Sequence, residues 1–205
     1  MTPPRAHLES RHEPVTGVFP RPVNPTKWEL SREDCERFHR EGYLAPIDLL
    51  SLSEVESLRT RLARIGDSLE ELRGSLYEIE PAWSERPDEV VLHFLGAWRI
   101  DELFHDLVFH PGATVPAAQL LGVERLRFWH DQVFWKPAQH PGVVPWHQDW
   151  SYWQRTTPEN HISMHIALDD TDEENGCLQF VPGSHRWGPL PSASFGGELD
   201  QVQAH

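Results

Sequence analysis

The sequence predicts an α+β domain in which helices come first and an antiparallel sheet follows. Two observations carry this prediction. Serine-led capping motifs and an apolar stripe at helical spacing occupy residues 31–69, whereas alternating aromatic and β-branched residues dominate from residue 124 onward. Helices followed by strands are typical of an antiparallel sheet that N-terminal helices cover on one side.

The composition fits one domain with a sizeable core, since 39% of the 205 residues are hydrophobic. No run approaches the roughly 18 apolar residues of a membrane span, and the first residues lack the apolar segment of a secretory signal. The two cysteines, Cys35 and Cys177, lie far apart, which indicates a reduced, cytoplasmic setting. The net charge of −14 repels phosphate groups and argues against nucleic-acid or membrane-surface binding.

Two parts of the chain differ in character. Residues 1–26 are rich in proline and show little apolar periodicity, so we predict a flexible tail. Residues 27–205 are predicted to form the folded domain. The sequence contains no internal repeat that would divide this domain further.

The helices are predicted from their start motifs. "SRED" at 31–34 places an acid three residues after a serine and predicts a helix that ends near Gly42. "SLSE" at 51–54 is a second such start, and an amphipathic stripe follows it: Val55, Leu58, Leu62, Ile65 and Leu69. Two shorter helices are expected between residues 101 and 121, in "DELFHDLVF" and "PAAQLLG", with Pro111 and Pro116 as boundaries. We expect His105 and His110 to be solvated or capping residues.

Four strands are predicted after the helices, in "ERLRFWHDQVFWKP", the short "PWHQDW", "HISMHIAL" and "CLQFV". The last two are joined by "DDTDEENG", whose Asn-Gly pair favours a turn. This acidic stretch does not fit the ligand spacing of a calcium-binding EF-hand loop, so we predict a solvated hairpin loop.

The hexapeptide "PWHQDW" at 145–150 spaces a histidine and an aspartate as a metal-binding pair would. In this composition the His-x-Asp/Glu spacing should occur about twice by chance, and it occurs three times: His7/Glu9, His39/Glu41 and His147/Asp149. Two positions on a helix are separated by about 200°, so the second pair diverges. The first pair lies in the predicted tail, where nothing would hold a site.

On a strand, alternate side chains share a face, so His147 and Asp149 could converge on one ion. They would supply half of the triad of two histidines and one carboxylate that binds Fe(II). Such a triad leaves coordination positions open for a co-substrate and O2. A cupin-type enzyme of another reaction class would instead need several histidines close together on one strand, which "PWHQDW" does not offer.

The segments "PWHQDWSYW" and "HIALDDTDEENGCLQFVPGSHRWG" resemble the phytanoyl-CoA dioxygenase family of Fe(II)/2-oxoglutarate-dependent oxygenases. The helical segment from "LSREDCERF" to "ESLRTRL" and the stretch "HDQVFWKP" resemble that family as well, so the similarity spans residues 30 to about 190. The resemblance implies a double-stranded β-helix, a cupin-like jelly roll with N-terminal helices packed on the sheet. The last strands of that fold are missing from this chain.

The resemblance also implies roles for individual residues. His147 and Asp149 would be iron ligands, and Lys136 would meet a carboxylate of 2-oxoglutarate. Gln132 lies four residues before Lys136 on the same face and would line the co-substrate or substrate site. His165 stands where many relatives carry tryptophan beside the co-substrate, and a core or pocket-lining histidine is the alternative.

Two hypotheses follow for function. The first is an oxygenase that uses Fe(II), 2-oxoglutarate and O2 to hydroxylate a small organic substrate. The second is a catalytically inactive fragment or remnant that serves as a small-molecule or partner-binding scaffold, because the family's distal histidine and arginine are not found in these 205 residues. His185 in "VPGSH" is expected to belong to a turn and not to supply the missing ligand. The substrate and the oligomeric state are not fixed by the sequence.

Overall fold

The computed structural model describes residues 8–21, 25–154 and 156–191, and the rest of the predicted tail and of the C-terminal stretch lies outside the described residues. Three strands form one antiparallel sheet in the order β1 (Glu78–Ile79), β2 (Leu92–Leu95), β3 (Val133–Trp135). The α-helices of the described part are α1 (Arg32–Glu41), α2 (Leu52–Asp67), α3 (Leu69–Leu72), α4 (Pro81–Glu85), α5 (Ala97–Ile100), α6 (Glu102–Leu107) and α7 (Pro111–Leu121). The α+β prediction is confirmed.

Both predicted helix starts are confirmed. The Ser31 hydroxyl accepts a hydrogen bond from the Asp34 N–H at 3.0 Å, and α1 ends at Gly42 in the left-handed conformation. At α2 the capping box is complete, because Ser51 accepts from the Glu54 N–H while the Glu54 carboxylate accepts from the Ser51 N–H at 2.7 Å. These bonds satisfy backbone donors that the first turn of a helix would leave unpaired.

The apolar stripe of α2 forms the core against the sheet. Leu58 is fully buried and Ile65 nearly so, and both pack in one cluster with residues of β2, β3 and α6. At Gly66 the helix approaches β3 so closely that an added Cβ would lie 2.5 Å from the Trp135 ring. The prediction that N-terminal helices pack on the sheet is therefore confirmed.

The sheet has a core face and an open face. The β2–β3 register pairs Leu92 with Trp135, His93 with Phe134 and Phe94 with Val133. Leu92, Phe94 and Val133 are buried in the core, so alternation places His93 and Phe134 on the open face. The sequence analysis missed β1 and β2, although the run "VVLHFL" at 90–95 has the β-branched and aromatic composition of a buried strand.

The helices between residues 101 and 121 differ from the prediction in one boundary. The second of them begins at Pro111, and Pro116 lies inside it. His110 caps this helix, since its Nδ1 accepts from the Gly112 N–H at 3.1 Å, which confirms a capping role. Pro116 is fully buried, and its packing offsets the loss of the backbone hydrogen bond that proline cannot make.

The strands predicted in "HISMHIAL" and "CLQFV" are wrong, because residues 161–168 and 177–181 form no strand. A strand needs a partner, and within the described residues these segments find none, while Leu178 and Phe180 remain half exposed. The turn between them is confirmed, since the Asp172 carboxylate accepts hydrogen bonds from the Glu174 and Asn175 N–H groups. The described residues do not show a double-stranded β-helix.

The proline-rich N-terminal segment packs on the domain over residues 8–21, where a flexible tail was expected. Leu8 and Phe19 are buried. The N–H groups of Val15 and Thr16 donate to the buried carboxylate of Asp106. Within the described residues, no helix combines the length and apolar composition that crossing a membrane requires.

Candidate metal centre

The His147–Asp149 pair does not lie in a strand, since His147 follows a bend at Trp146 and Asp149 begins a 3-10 turn, so the strand prediction for "PWHQDW" is wrong. His147 precedes a 3-10 turn over Asp149–Ser151, which the Tyr152 N–H closes onto the Asp149 carbonyl. The two side chains converge nevertheless, with His147 Nε2 3.4 Å from Asp149 Oδ1. In a tight turn the backbone changes direction, so the side chains of two residues separated by one position can lie on the same side.

Each of the two side chains is also held from its far side. The His147 Nδ1 lies 2.8 Å from the Pro145 carbonyl oxygen, which can only accept, so this nitrogen carries a proton. The Ser163 hydroxyl donates to Asp149 Oδ2. The two atoms that face each other, Nε2 and Oδ1, are therefore presented by groups whose orientation is fixed.

The pair is electrostatically coupled. The hydrogen bond with Asp149 raises the pKa of His147 above its usual value. Burial acts to raise the pKa of Asp149, but hydrogen bonds from His147 and Ser163 outweigh it, so this pKa lies below its usual value. Without a metal, the charged forms of both side chains stabilise each other.

The turn that carries the pair is fastened to residues 184–190, and the Gln148 side-chain N–H donates to the Ser184 carbonyl at 3.4 Å. The Gln148 amide accepts from the Leu190 N–H at 3.0 Å, and the Ser151 hydroxyl donates to the Leu190 carbonyl at 2.6 Å. His185 lies in a 3-10 turn over Ser184–Arg186, which agrees with its expected place in a turn. Hydrogen bonds from residues 183–186 to the last turn of α1 connect the pair to the N-terminal helices.

Aromatic rings lie beside His147 and beside the neighbouring His130. Tyr152 packs edge-on against His147 at 5.6 Å, and Trp153 packs edge-on against His130 at 4.6 Å. His130 also interacts electrostatically with Asp149. The sequence analysis did not single out His130, Tyr152 or Ser163. The aromatic stretch around residues 128–153 was the only hint to the first two.

The remaining predicted site residues lie on neighbouring segments. Gln132 precedes Phe134 by two residues, so alternation places it on the open face of the sheet, where the His93 ring stacks on Phe134 with centroids 4.5 Å apart. Lys136 is exposed, and its ammonium lies beside Gly176 of the acidic turn. His165 is exposed in the segment after Ser163. The roles of Gln132, Lys136 and His165 stay predictions.

A comparison with models of protein families shows which family the chain belongs to. The family model described as phytanoyl-CoA dioxygenase (PhyH) matches residues 38–202, most of the chain. The chain belongs to the phytanoyl-CoA dioxygenase family. This confirms the resemblance that the motifs around "PWHQDW" and "VPGSH" indicated.

Three curated relatives are similar to this chain, two of them over about three quarters of its length and one over about a third. An L-proline trans-4-hydroxylase from Streptomyces griseoviridis is 32% identical over 155 residues, which cover 74% of this chain and 54% of that protein. An ectoine dioxygenase from Halomonas elongata is 30% identical over 161 residues, covering 77% and 46%. A protein from Stutzerimonas stutzeri named "Probable alpha-ketoglutarate-dependent hypophosphite dioxygenase" is 35% identical over 63 residues, covering 31% and 21%. The chain spans about half the length of the first two relatives.

Within the described residues, the candidate metal centre has two side chains that could bind a metal ion. Across residues 8–21, 25–154 and 156–191, no group of three or more His, Cys, Asp or Glu side chains could hold a metal ion. His147 and Asp149 therefore stand as a pair within the described residues.

Proposed function

We propose that this chain carries the iron-binding segment of an Fe(II)- and 2-oxoglutarate-dependent dioxygenase that hydroxylates a small organic substrate with O2. The observation that carries the proposal is the approach of His147 Nε2 to Asp149 Oδ1 at 3.4 Å, in a chain that belongs to the phytanoyl-CoA dioxygenase family. The names of the relatives support it, since they are a hydroxylase and dioxygenases, one of them alpha-ketoglutarate-dependent.

The donor set fits ferrous iron. A neutral imidazole nitrogen and a carboxylate oxygen suit Fe(II), and two or three protein ligands leave room for a co-substrate. The Pro145 carbonyl keeps the proton of His147 on Nδ1, which leaves the Nε2 lone pair for a metal. When bound, iron and 2-oxoglutarate supply the oxidising chemistry: one oxygen atom of O2 enters succinate as CO2 is lost, and the other becomes the new hydroxyl.

The residues of this chain have binding and positioning roles in this proposal. Ser163 orients Asp149 by holding Oδ2, and the Tyr152 ring covers one side of His147. Lys136 supplies a cation for a carboxylate of 2-oxoglutarate in an otherwise acidic protein. Gln132 lines the co-substrate or substrate site from the open face of the sheet, and His165 lies beside the co-substrate.

We also propose that the complete fold is the double-stranded β-helix that the family resemblance implies. The half-exposed side chains of Leu178 and Phe180 support this, since further strands would cover them. The greater length of the relatives supports it as well. Within that fold, the open face of β2 and β3 would line the interior.

A second candidate function is a scaffold that binds a small molecule or a partner without turnover. The absence of a third donor within the described residues favours this alternative. If this alternative holds, the His147–Asp149 pair is a structural ion pair, and it binds Fe(II) no better than other carboxylates on the protein surface do.

The experiment that separates the two loads the purified protein with Fe(II) anaerobically and measures binding by calorimetry and succinate release from 2-oxoglutarate. If the protein is a dioxygenase, it should bind Fe(II) and release succinate above the free-iron blank. Asp149→Ala should lose both the Fe(II) binding and the succinate release. Asp170→Ala is the matched control, because it removes an exposed carboxylate that is not part of the pair and should change neither. Equal Fe(II) binding by all three proteins would contradict the assigned ligand, and binding without succinate release would favour the scaffold.

A further inference from the structure

A cavity of about 190 Å³ lies over the open face of β2 and β3. Its floor is formed by His93 and Phe134, one wall by Arg86 and residues 89–91, and the other by residues 141–144. Pockets for drug-sized ligands measure about 300–1,000 Å³, so this cavity suits a small metabolite. None of the predicted site residues lines it, but Gln132 lies on the same face of the sheet as its floor.

The two walls are held together by His140. Its Nδ1 accepts from the Gly142 N–H at 3.0 Å, so in the neutral ring the proton lies on Nε2, which donates to the Pro87 carbonyl at 3.0 Å. Gly142 fits so tightly that an added Cβ would lie 2.6 Å from the Glu89 carbonyl oxygen. The cavity is therefore built into the fold by contacts between segments more than fifty residues apart.

The lining combines an apolar body with one ion pair. The apolar residues are Val90, Val91, Phe134, Pro141, Val143 and Val144. The Arg86 guanidinium and the Glu89 carboxylate lie 3.2 Å apart, with side chains 47% and 66% exposed. An ion pair this exposed stabilises the fold little, so both charges can turn to a ligand at small cost. Burial lowers the pKa of His93 to about 4 and keeps the floor neutral.

We propose that this cavity binds a small zwitterionic amino acid, with its carboxylate on Arg86, its ammonium on Glu89 and its apolar part against Phe134 and Val143. The two charges of an amino acid are adjacent, as are the two charges of the lining. A simple anion would be repelled by Glu89, and a simple cation by Arg86. This inference goes beyond the proposed function, because it concerns binding in this cavity and does not depend on the iron pair.

The test is titration calorimetry on the protein without iron or 2-oxoglutarate. L-proline is the probe, and two analogues each lack one charge: pyrrolidine has no carboxylate and cyclopentanecarboxylate has no amine. L-proline should bind at least tenfold more tightly than either analogue. Arg86→Gln should remove the advantage over pyrrolidine, and Glu89→Gln the advantage over cyclopentanecarboxylate. Arg73→Gln is the matched control, since Arg73 forms an ion pair of the same sequence spacing with Glu70 outside the cavity.

Three outcomes would overturn the inference: no binding of L-proline, equal affinity for all three probes, or unchanged affinity in both cavity variants. Charge-dependent binding lost in those variants supports it, whatever the succinate assay shows. Because the titration contains neither iron nor co-substrate, a failure of the proposed oxygenase chemistry appears only in succinate release.

Discussion

Thr16 donates two hydrogen bonds to the carboxylate of Asp106, one from its backbone N–H at 2.6 Å and one from its hydroxyl at 2.5 Å. Val15 adds a third from its N–H at 2.7 Å. These bonds cross 90 residues of sequence and attach the N-terminal segment to α6. They outweigh the effect of burial, so the pKa of Asp106 lies below its usual value.

Asp106→Ala should therefore loosen residues 8–21 and destabilise the domain by about 2–4 kcal/mol, since hydrogen bonds to a charged acceptor contribute about 1.5–3 kcal/mol each and are not additive. Denaturant unfolding measures the loss, and hydrogen exchange at Val15 and Thr16 should become fast. Asp170→Ala, a change at an exposed carboxylate, should leave both unchanged. Slow exchange at Thr16 in the Asp106 variant would contradict the assignment.

The titration of His93 should lower the free energy of unfolding as the pH falls from 7 to 4. Its pKa is lowered to about 4 by burial, whereas in the unfolded chain it is 6.5. Between these values the unfolded state binds the proton and the folded state does not, so stability is lost as the pH falls. By pH 4 the loss should be on the order of 3 kcal/mol, given about 1.4 kcal/mol per pKa unit.

The measurement is the free energy of unfolding of the native protein and of His93→Asn between pH 7 and pH 4. The variant lacks the titrating ring, so its stability should fall less over this window. Parallel curves for the two proteins would show that His93 titrates alike in the folded and unfolded states.

Gly42 and Gly122 form a matched pair for testing the link between α1 and the metal centre. Both end a helix with positive φ, at 86° and 65°. An added Cβ at Gly42 would lie 2.3 Å from the His185 ring, whereas at Gly122 it would meet nothing within 4 Å. Alanine at either site strains the backbone by about 1 kcal/mol, but only Gly42→Ala should displace His185.

Because Ser184, next to His185, accepts a hydrogen bond from Gln148, which lies between the two proposed ligands, Gly42→Ala should weaken Fe(II) binding several-fold, and Gly122→Ala should not. Anaerobic calorimetry on both variants measures this. Equal Fe(II) affinity in the two variants would show that the metal pair keeps its geometry without the contact to α1.

The core face of α2 should carry much of the stability. Leu58 has no exposed surface, while Leu52 on the same helix is 89% exposed. Leu58→Ala should cost about 2–5 kcal/mol of unfolding free energy, because it leaves a cavity in the core. Leu52→Ala should stay within about 0.5 kcal/mol of the native protein. Similar losses in both variants would contradict the core assignment.

The sequence by itself determined the features that short-range interactions decide. The starts of α1 and α2 depend on bonds between residues three apart, as from Ser51 to Glu54, and the stripe containing Leu58 needs only a regular helix. The family, too, could be inferred from short motifs, since "PWHQDW" and "VPGSH" keep their spacing whatever the fold around them.

Only the tertiary structure decided the features that depend on distant partners. β2 exists because it pairs with β3 forty residues later, and the segments 161–168 and 177–181 are not strands because the described residues give them no partner. His147 and Asp149 meet through a turn that Ser163 and Leu190 hold in place, whereas alternation along a strand predicted the meeting for the wrong reason. Local sequence specifies which conformations are favourable, but burial and hydrogen bonding with remote segments select among them.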